Sequence, residues 1–222
     1  MHAVIYYLSY QDKIGSDFMI AESSLKYPVA DFLTSLEMPL AHIQIEYLHP
    51  SFKKRHIDLV RIDRAKEKIE NAFEFKIAQP TTRYESEQKR IFNDLMRLHL
   101  INKAHGSACY FFIAGKYADF MQCFRSISTK KPTDNIKDLT KSEGFYTEWF
   151  KFKANETQTF DVRNAPNGLY REIYEAFLID YNSKGAINTL ELPEKLTTTC
   201  IAISALSREF STPYVGGIWK IE

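Results

Sequence analysis

Apolar and polar positions along this chain alternate with two different periods, and the changes of period mark its elements. Residues 3–10 are almost wholly apolar and read as a short strand. Over residues 21–36, Leu25, Val29 and Leu33 recur every fourth position. That spacing predicts a helix starting near Ser24, with Ser23 and Ser24 as caps and Pro28 tolerable only in its first turn. Three period-two segments follow. In residues 42–48, Ile43 and Ile45 share one face and His42, Gln44 and Glu46 the other. In residues 56–63, Ile57 and Leu59 stand opposite Asp58, Val60 and Ile62. In residues 72–78, Phe73, Phe75 and Ile77 stand opposite Glu74 and Lys76, and Pro80 ends the segment. The polar residues 64–71 between the last two make them a hairpin.

Through residues 86–103, Ile91, Leu95, Leu98 and Ile101 return at helical spacing. Residues 107–114, apolar from Cys109 to Ile113, then read as a buried fourth strand, with a short helix over 116–126. An amphipathic crossover of this length predicts that strands three and four are parallel. Farther on, residues 128–144 read as a polar loop, 145–152 and 157–162 as strands, Asn167-Gly168 as a turn and 170–181 as a helix. Residues 197–210 are ambiguous, because threonines favour a strand while Leu196, Cys200, Ile203 and Leu206 have helical spacing. Gly216-Gly217 leads into a terminal strand over 218–221. The expected fold class is α/β, a central mixed sheet flanked by helices. Residues 1–127 form its core, and 128–222 an α+β extension of the same domain, since no repeat or composition break marks a second one.

Composition narrows the classes. With 222 residues, 45% of them hydrophobic and 14% aromatic, the chain can bury a sizeable core built largely from rings. A formal charge of +1 provides no global attraction to nucleic acid, so any such surface is a local patch. Cys109, Cys123 and Cys200 are widely spaced, form no CxxC pair and read as reduced core thiols of a cytoplasmic protein. No run of eighteen apolar residues and no basic leader occurs, so a soluble protein without a membrane partner is expected.

The predicted hairpin brings chemistry together. Glu74 and Lys76 share one face of strand three and Asp58 lies on strand two, so two carboxylates and an ammonium can converge. Two carboxylates with a nearby carbonyl suit Mg²⁺, which keeps most of its waters. Such an ion activates water and stabilises charge on a phosphodiester, and a lysine beside it can orient the water or offset that charge. An acid two residues before a lysine occurs twice, at Glu74/Lys76 and Glu87/Lys89, about as often as chance gives. The setting separates them: Glu87 opens a helix, whereas Glu74 lies in an apolar strand after an acid on a neighbouring strand.

In these residues the chain resembles the PD-(D/E)XK nuclease superfamily, whose core is the restriction-endonuclease-like fold. Asp58 in His56-Ile57-Asp58-Leu59-Val60 matches the family's acid on the second core strand, and Phe73-Glu74-Phe75-Lys76 its E-x-K. The element order over about residues 16–115 matches as well, although Ile57 stands where the family often has proline. The resemblance implies a Mg²⁺-dependent nuclease, Mn²⁺ serving as substitute, and an endonuclease rather than an exonuclease. Its ligands would be Asp58, Glu74 and the Phe75 carbonyl, with Lys76 at the attacking water. Glu22 or Glu46 would complete the carboxylate set, and Gln88 on the long helix would support the site. Lys53, Lys54, Arg55, Arg83, Lys89 and Arg90 are the concentrated cations flanking the acids and would contact phosphates without choosing a sequence. DNA is the substrate by family analogy, in restriction, repair or phage defence, and a homodimer is compatible with it.

Two other classes stay open. One is a catalytically inactive nucleic-acid-binding or scaffold module with the same fold, in which the acids are splayed or salt-bridged. The other is a small-phosphate enzyme, which should carry a glycine turn at a helix N-terminus. Ala114-Gly115-Lys116 lacks the preceding glycine of such a loop and reads as a turn. His42, His49 and His56 recur every seven residues without a zinc pattern and read as scattered polar positions, and Tyr110-Phe111-Phe112 and Trp149-Phe150-Lys151-Phe152 read as core.

Overall fold

A computed structural model of the chain describes residues 1–16, 20–36, 42–52, 54–79, 84–123, 149–162, 174–179, 181, 192–204 and 214–222. Two helices, α1 (His2–Lys13) and α2 (Ser23–Ser35), precede strands β1 (Ile43–Leu48), β2 (His56–Asp63) and β3 (Lys68–Ala78). The long helix α3 (Tyr84–His105) leads to β4 (Ala108–Lys116) and the short α4 (Tyr117–Cys123). Strands β5 (Thr157–Asp161), β6 (Lys195–Ile203) and β7 (Tyr214–Ile221) complete a seven-stranded sheet of order β1-β2-β3-β4-β7-β6-β5. Among the described residues only β3 and β4 pair in parallel, as their helical crossover requires, and the other neighbours are antiparallel. The protein is a mixed α/β fold with helices on its sheet. No helix among the described residues is long and apolar enough to cross a membrane.

Alternation along the central strands loads two cores. Ala72 of β3 and Cys109, Phe111 and Ile113 of β4 join Leu95, Met96 and Leu98 of α3 on one face. Phe75 and Ile77 of β3, with Phe112 and Ala114 of β4, meet Val4, Ile5 and Leu8 of α1 and Leu25 of α2 on the other. Both faces of β3 and β4 are therefore covered, which explains their nearly continuous apolar sequence.

Several sequence expectations change. Residues 3–10 are helical, within α1, and not a strand: Val4, Ile5 and Leu8 are buried as one stripe while Tyr6 stays 70% exposed. Their tyrosines supply apolar bodies on a wet face, which erases the polar side of the helical pattern. In α2, Pro28 falls beyond the first turn and removes one backbone bond, a loss offset by the buried Leu25 and Ala30. The predicted turn over 64–71 is shorter, because β3 already begins at Lys68. Ala114 to Lys116 close β4 and form no turn.

Of the strand expected over 145–152, residues 149–152 are described and are irregular. Trp149, Phe150 and Phe152 are nonetheless buried, Phe150 lying 4.7 Å from Trp219 between ring centroids. Rings anchor this segment without a ladder. The ambiguous stretch is a strand over 195–203, where Leu196, Thr198 and Cys200 point in and the hydroxyls of Thr197 and Thr199 meet those of Thr159 and Thr157 at 3.0 Å. Residues 174–179 and 181 are helical. The readings for 128–148, Asn167-Gly168 and 205–210 fall outside the described residues.

Gly216 and Gly217 lie inside β7 and do not merely lead into it. A Cβ at Gly217 would stand 2.2 Å from the Cη2 atom of Trp219, whose ring folds over the backbone there. Gly217→Ala is expected to lower stability by about 1–3 kcal/mol through overpacking, read from urea denaturation. An unchanged midpoint would mean that the indole has another place to go.

Candidate functional site

The hairpin between β2 and β3 comes apart at its open end. Its ladder runs from Asp63 opposite Lys68 to Leu59 opposite Phe73 and stops, although β2 reaches back to His56 and β3 continues along β4 to Ala78. In this fork the peptide N–H of Phe75 is no longer held by a strand carbonyl. It donates to Asp58 Oδ2 at 2.7 Å. Asp58 and Glu74 stand two residues beyond Val60 and Ala72 and so share their face, the one that α3 covers. Their carboxyl groups lie within hydrogen-bonding reach of each other.

Cations close in from both layers. Lys26 of α2 donates to Asp58 Oδ1 at 2.8 Å and also to Glu46 of β1. Arg97 of α3 donates to Glu74 Oε1 at 3.1 Å and to Asp94 Oδ1, one turn away, at 2.5 Å. Asp94 Oδ2 in turn lies 3.5 Å from the Lys76 ammonium, which donates to Glu22 Oε1 at 3.2 Å. Glu22 is the N-cap residue of α2, just outside the helix. A continuous ionic network thus passes from α2 through the fork to α3.

Burial makes the network matter. Glu74 is 3% exposed, and burial raises its pKa well above the carboxylate range; Arg97 opposes that shift, and Asp94 and Asp58 add to it. Burial pulls the Lys76 and Arg97 pKa values down, but Asp94 and Glu22 around the lysine, and Glu74 and Asp94 around the arginine, more than reverse it. Lys26 behaves the same way, with Asp58 and Glu46 outweighing its desolvation. Five carboxyl groups, of Glu22, Glu46, Asp58, Glu74 and Asp94, face three cations, of Lys26, Lys76 and Arg97. The acids outnumber the cations by two, and the raised pKa of Glu74 brings the net negative charge below that count.

That excess suits a divalent ion. Among the described residues no three His, Cys, Asp or Glu side chains are grouped as a metal cage. Mg²⁺ needs only one or two carboxylates besides water, and Asp58 and Glu74 supply two at one spot. The Phe75 carbonyl faces the same neighbour as its N–H, as in any extended residue, so it opens into the fork. This donor set fits the ion.

The other expected residues are distributed around this centre. Glu22 and Glu46 both reach the cluster, each through a lysine. Gln88 is fully buried on α3. Lys54 is exposed in the β1–β2 turn beside the half-buried Arg55; on α3, Lys89 is half-buried and the exposed Arg90 pairs with Glu87 at 2.8 Å. Lys53 and Arg83 fall outside the described residues. Sequence reasoning missed Lys26 and Arg97. The signal for Arg97 was available: it and Asp94 are charges three apart among Phe92, Leu95, Met96 and Leu98, an apolar setting that calls for an internal partner. Lys26 follows the buried Leu25 and carries no comparable mark.

His49, read as a scattered polar position, is instead a buried strut under this network. Its Nδ1 accepts the Ser51 N–H at 3.0 Å, so its proton sits on Nε2, 3.2 Å from the Arg97 carbonyl. Burial pushes its pKa from 6.5 down to about 4. A depressed folded-state pKa supplies stability that is complete above pH 6.5 and is lost as the pH falls towards 4. This group alone should withdraw about 3 kcal/mol over that window. Urea denaturation of wild type and His49→Gln at stepped pH checks it, the variant's stability falling less. Parallel losses in both proteins would remove His49 as the cause.

No protein-family model, curated protein or solved structure matches the chain.

Proposed function

We propose that the chain is a metal-dependent nuclease with a restriction-endonuclease-like core, cutting phosphodiester bonds of DNA. One observation carries the reading: the carboxyl groups of Asp58 and Glu74 meet where β2 and β3 fork, with the Lys76 ammonium linked to Glu74 through Asp94 and Arg97. The order α2-β1-β2-β3-α3-β4 with β3 and β4 parallel supports it. So does the excess of carboxyl groups over cations at the cluster.

Asp58, Glu74 and the Phe75 carbonyl would hold Mg²⁺ or Mn²⁺. The ion would supply an activated water and a counter-charge for phosphorus. The protein's own groups do the positioning. Arg97 fixes the Glu74 carboxylate, and the Phe75 N–H fixes Asp58. Lys76 remains an ammonium and therefore acts as a cation towards the reacting phosphate, not as a proton acceptor. Lys54, Lys89 and Arg90 would contact flanking phosphates.

A specific observation favours a second reading, the inactive binding or scaffold module. Asp58 and Glu74 each already have a cationic partner, in Lys26 and Arg97. Incubating wild type and Asp58→Asn with supercoiled plasmid and single-stranded DNA, in Mg²⁺, Mn²⁺ or chelator, separates the two. Metal-dependent cleavage by wild type alone is expected. DNA retained in gel-shift experiments without cleavage under any condition would establish the module instead.

A further inference from the structure

We infer that Lys26 is a displaceable internal counter-ion of the metal site, its ammonium holding Asp58 when no metal is bound and remaining on Glu46 alone when a divalent ion takes Asp58. The inference rests on the metal reading above and adds a residue that sets the affinity of that site. Asp58 offers two oxygens. Oδ2 is engaged by the Phe75 N–H and Oδ1 by the Lys26 ammonium, so an arriving cation meets a positive charge already at its ligand. Two cations on one carboxylate repel strongly in a site as buried as this.

Lys26 has somewhere to go. It is only 8% exposed, and Leu25 beside it is locked in the apolar core, so α2 cannot simply swing the lysine into solvent. Its second partner, Glu46, stands on the neighbouring strand with a side chain 56% exposed and faces water on its far side. A short rotation of the lysine stem away from Asp58 keeps one carboxylate on the ammonium. The Lys26 pKa is held above its ordinary value by these same acids, so deprotonation is not the route by which it yields. Glu46 then serves the metal without touching it, by receiving the displaced charge.

Direct Mn²⁺ binding tests this without reference to cleavage. Isothermal titration calorimetry and the electron paramagnetic resonance signal of free Mn²⁺ would compare wild type, Lys26→Met, Glu46→Gln, the double variant and Asp58→Asn, each checked for folding by circular dichroism. Lys26→Met is expected to bind Mn²⁺ at least about tenfold tighter than wild type, and Glu46→Gln several-fold weaker. In the Lys26→Met background, Glu46→Gln should change nothing, because its effect acts through the lysine. Lys26→Gln replaces Lys26→Met if the apolar variant does not fold. Equal or weaker binding by the lysine variants overturns the inference while leaving the metal site standing. Weakening by Glu46→Gln in both backgrounds also overturns it and makes Glu46 a ligand. Absence of binding in wild type and Lys26→Met alike, or binding unaffected by Asp58→Asn, defeats the metal reading itself.

Discussion

Replacing Arg97 with methionine will lower stability by about 3–5 kcal/mol at neutral pH, and by progressively less as the pH falls. The guanidinium is the cationic partner of Glu74, a carboxyl group buried at the centre of the domain, and it binds Asp94 as well. Methionine fills much of the volume but leaves two carboxylates without that cation in a site that excludes water. The folded-state pKa of Glu74, already raised, then rises farther above the unfolded one. The sign follows directly: a carboxyl group with a raised folded-state pKa favours the native state at low pH and disfavours it as the pH climbs through that value. The gap between variant and wild type should therefore narrow on acidification. Comparing the two proteins at each pH cancels the acid sensitivity contributed by His49, which both retain. A double variant, Arg97→Met with Glu74→Gln, should recover part of the loss, because neutralising the acid removes most of what the arginine was there to balance. Urea denaturation of wild type, Arg97→Met, Glu74→Gln and the double variant at pH values spaced from neutral to mildly acidic measures these differences. A deficit that is large yet independent of pH would mean that Arg97 acts through packing, and that the Glu74 pair is incidental.

Much of this architecture could be read from spacing alone, and the part that could not has a common physical cause. The hairpin of β2 and β3, the α3 helix and the parallel β4 were legible because each has one dominant period and buries the stripe that period defines. α1 was not, because its tyrosines look apolar in a sequence while lying on a wet surface. The segment at Trp149 was misread for the converse reason: its rings are buried individually against Trp219 and Phe160, so hydrophobicity there reports anchoring and not strand pairing.

The site divides in the same manner. Asp58, Glu74 and Lys76 were legible from one hairpin, since register and alternation decide which side chains share a face. Lys26 was not, since what defines it is a partner 20 or 32 residues away, chosen by how α2 settles over the fork, and the apolar setting that marked Arg97 did not reveal its partner Glu74, 23 residues away. A sequence reading therefore finds the acids and overlooks the cations that hold them, which makes the centre look more anionic than it is. The metal reading depends on the meeting of the Asp58 and Glu74 carboxyl groups in the fork, and not on a net charge.

Lys76→Ala, on the proposed nuclease reading, will lower the rate of metal-dependent cleavage about 10²–10³-fold, the usual effect of removing one preorganised charge from a site of this kind. The direction of the lysine pKa decides which role is lost. With Asp94 and Glu22 around it, the ammonium stays protonated at any working pH, so it has no capacity to take a proton from water. Its contribution is a fixed positive charge held by two carboxylates, one at the N-cap of α2 and one on α3. Three consequences separate that role from a catalytic base. Lys76→Arg should retain part of the activity, because a guanidinium keeps the charge although its fork changes the geometry. Raising the pH should not restore Lys76→Ala, because no proton acceptor has been lost. Mn²⁺ binding should change far less than the cleavage rate, because Lys76 is paired with acids other than Asp58 and Glu74. Single-turnover cleavage rates across pH, together with the Mn²⁺ isotherms, provide all three. An alanine variant whose rate climbs back towards wild type with rising pH would show that the lysine accepts the proton after all, and an alanine variant as fast as wild type would remove Lys76 from the reaction.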